Sequence, residues 1–135
     1  MTAGYSGTPL ATKLGIKPAS DVRLVAAPES FEALLEPLPE GARVRRRGPL
    51  RADVVVFFAT ARGELARRVA GLGRAVFPAG GLWVVWPKRA SGVATDVTED
   101  VVREVALPLG LVDNKVCAVD ETWSGLRLVW RKERR

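Results

Sequence analysis

Apolar residues in this chain fall into two patterns, short runs and stripes at helical spacing, and the two alternate along its length. Residues 22–26 alternate and then run apolar, while 53–59 and 82–86 are nearly continuous behind Asp53 and Gly81. A strand covered on both faces needs apolar side chains on both sides of its pleat, so these segments are predicted strands, with 53–59 central. The first strand stops near Ala27, before Pro28, and the last of the three stops at Pro87.

Helical stripes fill the gaps. Behind Ser30 as cap, Phe31, Leu34, Leu35 and Leu38 predict a helix closed by Pro37 and Pro39. Leu65, Val69, Leu72 and Val76 predict another over 62–77, although Gly71 and Gly73 each weaken it by roughly 1 kcal/mol against Ala. Thr98 is placed as the N-cap of a third, with Glu99 and Asp100 in its first turn, Val101, Val102, Val105 and Leu109 on its apolar side, and Gly110 past its end. A short strand is expected at 42–47, and two more at 112–119 and 126–131 form a terminal hairpin through 121–125. On the last of these Leu126, Leu128 and Trp130 share one side, and Arg127, Val129 and Arg131 share the other, the pattern of an edge strand with a basic outer face. Residues 1–20 are read as an arm carrying a short helix, with Thr8 as N-cap, Pro9 at the first helical position and Gly15 just past the end. Residues 21–135 then form a single domain.

The predicted fold class is α/β: a Rossmann-like, mainly parallel sheet flanked by helices, with a C-terminal antiparallel hairpin. A chain of 135 residues, 47% hydrophobic and 27% charged, has the balance of an ordinary globular domain and can bury a real core. Its apolar runs fall far short of the ~20 residues of a membrane span, and its first residues lack the charged and apolar regions of an export signal. The lone cysteine, Cys117, precludes an intramolecular disulfide, so a reducing, cytoplasmic location is expected.

Charge and chemistry narrow the function only by exclusion. The formal charge of +6 raises affinity for polyanions without selecting one, and 16 of the 21 basic residues are Arg. The chain has no histidine, which removes a Ser-His-Asp triad, a Cys-His pair and any His-containing zinc site. Carboxylate, Lys, Tyr, Ser or backbone chemistry remains, and no cofactor and no metal are expected.

The order of strands and helices resembles a shortened class I methyltransferase. That resemblance implies a Gly-rich turn after the first strand, where backbone approaches the methyl donor, and an acidic residue ending the second strand, which accepts the ribose hydroxyls. Neither is here. The first turn reads Ala26-Ala27-Pro28-Glu29-Ser30, and the second strand ends in Arg45-Arg46-Arg47, whose guanidinium groups cannot accept a hydrogen bond. The segments Gly4-Tyr5-Ser6-Gly7-Thr8-Pro9-Leu10, Trp86-Pro87-Lys88, Ser91-Gly92, Thr95-Asp96, Thr98-Glu99-Asp100 and Asp120-Glu121-Thr122-Trp123-Ser124-Gly125 are similar to an uncharacterised bacterial domain family of unknown function. That similarity carries over no functional residues.

In open α/β sheets ligands bind beyond the carboxyl ends of the parallel strands, where strand order reverses. Three loops are expected to meet there, at Pro28-Glu29, Thr60-Ala61-Arg62 and Pro87-Lys88. Glu29, Lys88, Arg89, Ser91, Thr95 and Asp96 are the candidate ligand-binding residues, since cations, hydroxyls and a helix N-terminus suit a phosphate or carboxylate. The bland alternative makes Asp96 and Thr98 helix caps and Lys88 and Arg89 solvated charges. The cluster of Arg43, Arg45, Arg46, Arg47 and Arg51 suits nucleic-acid phosphates or a strand edge protected against pairing, and the lack of interleaved aromatics favours the edge. Asp120 and Glu121 are assigned to turn solvation and Cys117 to the core.

The leading expectation is a non-catalytic binding domain for a small anionic ligand or a protein partner, with a homo-oligomer among the partners considered and no membrane association. The alternatives are an enzyme using the 88–96 loop, with Lys88 as electrostatic group and Glu29 or Asp96 as base, and a nucleic-acid-associated protein using the Arg-rich surface.

Overall fold

A computed structural model describes residues 7–135; the part of the opening motif from Gly4 to Ser6 lies outside the described residues. The chain runs α1 (Leu10–Lys13), β1 (Asp21–Val25), α2 (Phe31–Leu34), β2 (Arg43–Arg45), β3 (Val54–Phe58), α3 (Arg62–Val76), β4 (Gly81–Pro87), α4 (Glu99–Ala106), β5 (Leu111–Ala118) and β6 (Trp123–Trp130). The six strands form one sheet in the order β2-β1-β3-β4-β6-β5. The pairings among β2, β1, β3 and β4 are parallel, and β6 is antiparallel to both β4 and β5. This is the expected Rossmann-like, mainly parallel sheet with a C-terminal antiparallel hairpin. The chain passes from β1 outward to β2 and returns to β3 on the other side of β1, so strand order reverses between β1 and β3.

Each face of the sheet carries its own core. On one, Val55, Phe57, Val84 and Leu126 pack with Leu65, Val69 and Leu72 of α3 and Val102 of α4. On the other, Leu24, Val56, Trp83 and Val85 pack with Ala11, Leu14 and Ile16 of the arm and Phe31 and Leu35 around α2. All five residues of β3 and all seven of β4 are buried, as both-faced burial of continuous apolar runs requires. Trp83 fixes the arm, its indole N–H donating 2.8 Å to the carbonyl of Leu14.

Several local expectations shift. Helix α1 begins one residue later than expected, with Pro9 as its N-cap and no capping bond from a side chain. The helix expected from Phe31 through Leu38 is a single turn, and Leu34 is 41% exposed. Pro37 has no backbone N–H to carry the helix ladder on, so the apolar spacing cannot be used beyond that turn. Strand β6 is not an edge strand: its register with β4 places it second from the border, and β5 is the edge. A hairpin can dock on a parallel sheet by either strand, and here the second one pairs. Gly73, unfavourable in a helix by propensity, sits in close packing, where a Cβ would lie 2.9 Å from Leu111 Cδ1 and that side chain would have to shift. Trp130 Nε1 also donates to the Gly73 carbonyl at 2.8 Å, tying α3 to β6. Among the described residues no helix is long and apolar enough to cross a membrane.

Candidate functional site

Beyond the carboxyl ends of β1 and β2, Arg46 spans the crevice between their loops. Ala26, just past β1, lies in the left-handed region at φ 58°, a conformation natural to glycine, which a non-glycine residue adopts at a cost of roughly 1 kcal/mol. The turn therefore has a glycine-like shape without the glycine. Arg46, one residue past β2, reaches back over it: Nη1 donates to the Ala27 carbonyl at 2.9 Å, and Nη2 to the Pro28 carbonyl at 2.6 Å. The same guanidinium grips the Glu32 carboxylate bidentately, Nε to Oε2 at 2.6 Å and Nη2 to Oε1 at 2.7 Å. Such fork-to-fork pairing is the strong form of an Arg–carboxylate bond. The hydrogen bond from Arg46 draws the Glu32 carboxyl down to about 2. In the core on this face Phe31, Phe58 and Trp123 pack edge to face at 4.9 and 5.0 Å.

The candidate residues of the 88–96 loop are brought to the neighbouring strand end, and most of their polar groups are engaged there. Thr95 Oγ1 donates to the Thr60 carbonyl at 2.6 Å and accepts from the Val97 N–H. Asp96 Oδ1 accepts the Arg62 N–H at 2.7 Å, so it satisfies the start of α3, not of the helix that follows it. Thr98 caps α4 by accepting the Val101 N–H, as expected. Ser91 Oγ donates to the Lys88 carbonyl at 2.7 Å and accepts from the Val93 N–H. Lys88 is half-buried and Arg89 exposed, and neither side chain has a hydrogen-bond or ion-pair partner among the described residues. Glu29 is exposed on the first loop, where its carbonyl meets Arg46 at 3.5 Å, and no hydrogen bond joins it to the 88–96 loop among the described residues.

The Arg-rich cluster is divided. Strand β2 is indeed the edge strand, but Arg45 turns inward along the sheet to Asp21, at 2.9 and 3.1 Å, and donates to the carbonyls of Arg47 and Arg51. Arg23 donates to the carbonyl of Gly48 at 2.6 Å. Arg45 and Arg46 are thus structural clamps, and Arg43, Arg47 and Arg51 are the exposed members. Asp120 Oδ1 accepts the N–H groups of Thr122 and Trp123, both at 2.8 Å, a local turn bond in keeping with a structural role. Burial raises the Cys117 thiol above its ordinary pKa, so no reactive thiolate is expected of it.

A concavity lies at the opposite end of the sheet, where the parallel strands begin. A cleft of about 590 Å³ lies between the arm at Lys17–Asp21, the β2–β3 turn at Arg51 and Asp53, the Phe77–Gly80 turn and Arg127 of β6. Sequence reasoning assigned Arg127 to the outer face of an edge strand. The only signal of another role was the adjacent pair Gly80-Gly81, which leaves room beside it.

Comparison with solved structures gives the fold. The chain is similar to a SAM-dependent methyltransferase from Aquifex aeolicus, with TM-score 0.58 and 12% identity over 88% of this chain and 86% of that one. It is similar also to magnesium protoporphyrin IX methyltransferase from Synechocystis PCC 6803 with bound SAH, with TM-score 0.59 and 11% identity over 90% and 78% of the two chains. A protein of the NADB-Rossmann superfamily from Streptococcus agalactiae matches with TM-score 0.57 and 11% identity over 96% and 70%. No family model matches the chain, and no curated protein is similar to it in sequence. The fold is methyltransferase-like; identities this low carry the architecture and not the activity.

Proposed function

We propose that this chain is a non-catalytic binding domain on a methyltransferase-like frame, serving a small anionic ligand or a protein partner. The observation that carries this reading is Arg46, which closes the crevice over the carboxyl ends of β1 and β2. In the methyltransferases it resembles, an acidic residue at the end of the second strand receives the ribose of the donor. Here a cation stands just past that strand, with its donors bonded to Ala27, Pro28 and Glu32. A ligand entering the crevice would have to break at least two carbonyl bonds and a bidentate ion pair, and would meet a guanidinium that offers no acceptor. The 88–96 loop supports the reading in the same way: Ser91, Thr95 and Asp96 hold the loop and the start of α3, leaving Lys88 and Arg89 for any anion at that end.

The test is a thermal melt with the methyl donor. A ligand at ~100 times its dissociation constant stabilises a binding protein by about 2.7 kcal/mol. For a chain of this length that corresponds to roughly 9 °C in Tm. The expected result is no shift with S-adenosylmethionine or its demethylated product. A rise of several degrees with either, absent with adenine, would overturn the reading.

A further inference from the structure

We propose that the cleft where the parallel strands begin is a binding site for a small molecule bearing an oxyanion, phosphate or carboxylate, with Arg127 as the group that grips it. The proposal names the site for the anionic ligand of the preceding reading, and it does not depend on the closure by Arg46 at the other end of the sheet.

Arg127 differs from the other half-buried arginines of the described residues, of which Arg68 lies over the aromatic ring of Phe57 at 5.8 Å. Arg23, Arg45, Arg46 and Arg103 each have a carbonyl or carboxylate on the guanidinium. Arg127 is comparably covered, yet it makes no hydrogen bond and no ion pair among the described residues. Burial, and then the neighbouring positive charge of Arg135, pull its pKa below the ordinary arginine value, the mark of a cation removed from water without an anion in return. A guanidinium carries five N–H donors in a fixed fork, and leaving them desolvated and unpaired is costly.

The surroundings hold this group in place and leave its anion to come from outside. It lies along Gly81, where a Cβ would stand 2.5 Å from Nε and 2.8 Å from Nη2, so a glycine at the start of β4 is what admits it. The two carboxylates of the cleft are already engaged: Asp21 pairs with Arg45, and Asp53 Oδ2 accepts the Asp21 N–H at 2.8 Å. Lys17 and Arg51 add positive charge at the exposed rim, and Phe77, Pro18 and Pro78 supply apolar wall. A cleft of about 590 Å³ lies within the size of small-molecule sites, which are roughly 300–1,000 Å³ and combine apolar lining with a few fixed polar groups. The occupant is therefore an oxyanion on a compact, partly apolar body. Its anion is seated on Arg127, and its body lies against the Phe77–Gly80 turn.

The experiment is a titration of the full chain followed by amide and arginine Nε–H NMR, with pyrophosphate and citrate as separate arms and sodium chloride at matched ionic strength as control. The expected result is saturable shifts at Arg127 Nε–H and at the amides of Asp53, Gly80 and Gly81 with one or both anions. Arg127→Gln should weaken binding at least about tenfold, while Arg89→Gln leaves it unchanged. The arm that saturates distinguishes a phosphate from a carboxylate ligand. Arg127→Lys, which keeps the charge but loses the fork, should fall between, and it decides the matter if the Gln variant is poorly folded. Shifts that match the chloride control, that persist in both Arg127 variants, or that centre on Lys88 and Arg89 would overturn the proposal. Failure of the closed-crevice reading would look different, since a ligand there would move Ala27 and Glu32 and leave Gly81 still.

Discussion

Trp83→Phe probes the contact that joins the arm to the sheet. Trp83 and Leu14 are both fully buried, and the indole N–H is the donor that satisfies the Leu14 carbonyl across 69 positions of sequence. Phenylalanine preserves an aromatic ring but removes the donor and part of the indole volume. The orphaned carbonyl costs about 1–3 kcal/mol, and incomplete refilling of the vacated space adds about 1 kcal/mol. The expected loss is therefore about 3 kcal/mol. Unfolding entropy near 2.1 cal/mol/K per residue converts this to a fall of about 10 °C in Tm for a domain of this length. Thermal and urea unfolding followed by circular dichroism would measure it. Hydrogen exchange at residues 10–16 should rise more than exchange in β3, because the arm loses its tie while the sheet keeps its pairing. A loss below ~1 kcal/mol, or a loss with exchange in the arm unchanged, would refute the reasoning.

Three further outcomes follow from single contacts. Glu32 has a folded-state pKa depressed to about 2 by Arg46, so its contribution is fully present above the unfolded carboxyl value and fades as pH falls toward 2; because the side chain is 43% exposed, the effect should be about 1 kcal/mol. Glu32→Gln should flatten acid-induced destabilisation between about pH 4.5 and 2 in urea melts; an unchanged profile would show the pair to be inert. Gly71→Ala should stabilise α3 by up to about 1 kcal/mol, since the nearest atom to the new Cβ is Arg74 Nη2 at 3.6 Å, whereas Gly80→Ala should cost about 2 kcal/mol or more, since its Cβ would meet the Asp53 carbonyl oxygen at 2.6 Å. Equal effects of the two in thermal melts would contradict the geometry. Thr98→Ala should cost about 1 kcal/mol by removing the cap of α4, and a neutral result would mean that water replaces it.

Strand and helix identity was legible wherever one local rule dominated. The continuous apolar runs of β3 and β4, the Leu65, Val69, Leu72 and Val76 stripe of α3, and the Thr98 cap of α4 follow from burial periodicity and from the donors a helix start leaves open, and they hold in the structure. Those elements in that order are enough to imply a mainly parallel sheet, because short right-handed crossovers allow few alternatives. The absence of histidine and the single cysteine likewise limit the chemistry without any structure.

Partner choice lay beyond local rules. Which hairpin strand meets β4, which arginine takes Glu32, and which helix start Asp96 satisfies are contests between groups distant in sequence. Arg45, Arg46 and Arg127 look alike as letters on basic stretches. Arg45 finds Asp21 and Arg46 finds Glu32, while Arg127 lies on an inner strand beside a glycine, with the nearby carboxylates already spent. A salt bridge or an unpaired cation is decided by a few ångströms of side-chain reach across the folded chain, and that distance exists only once the sheet has set its strand order.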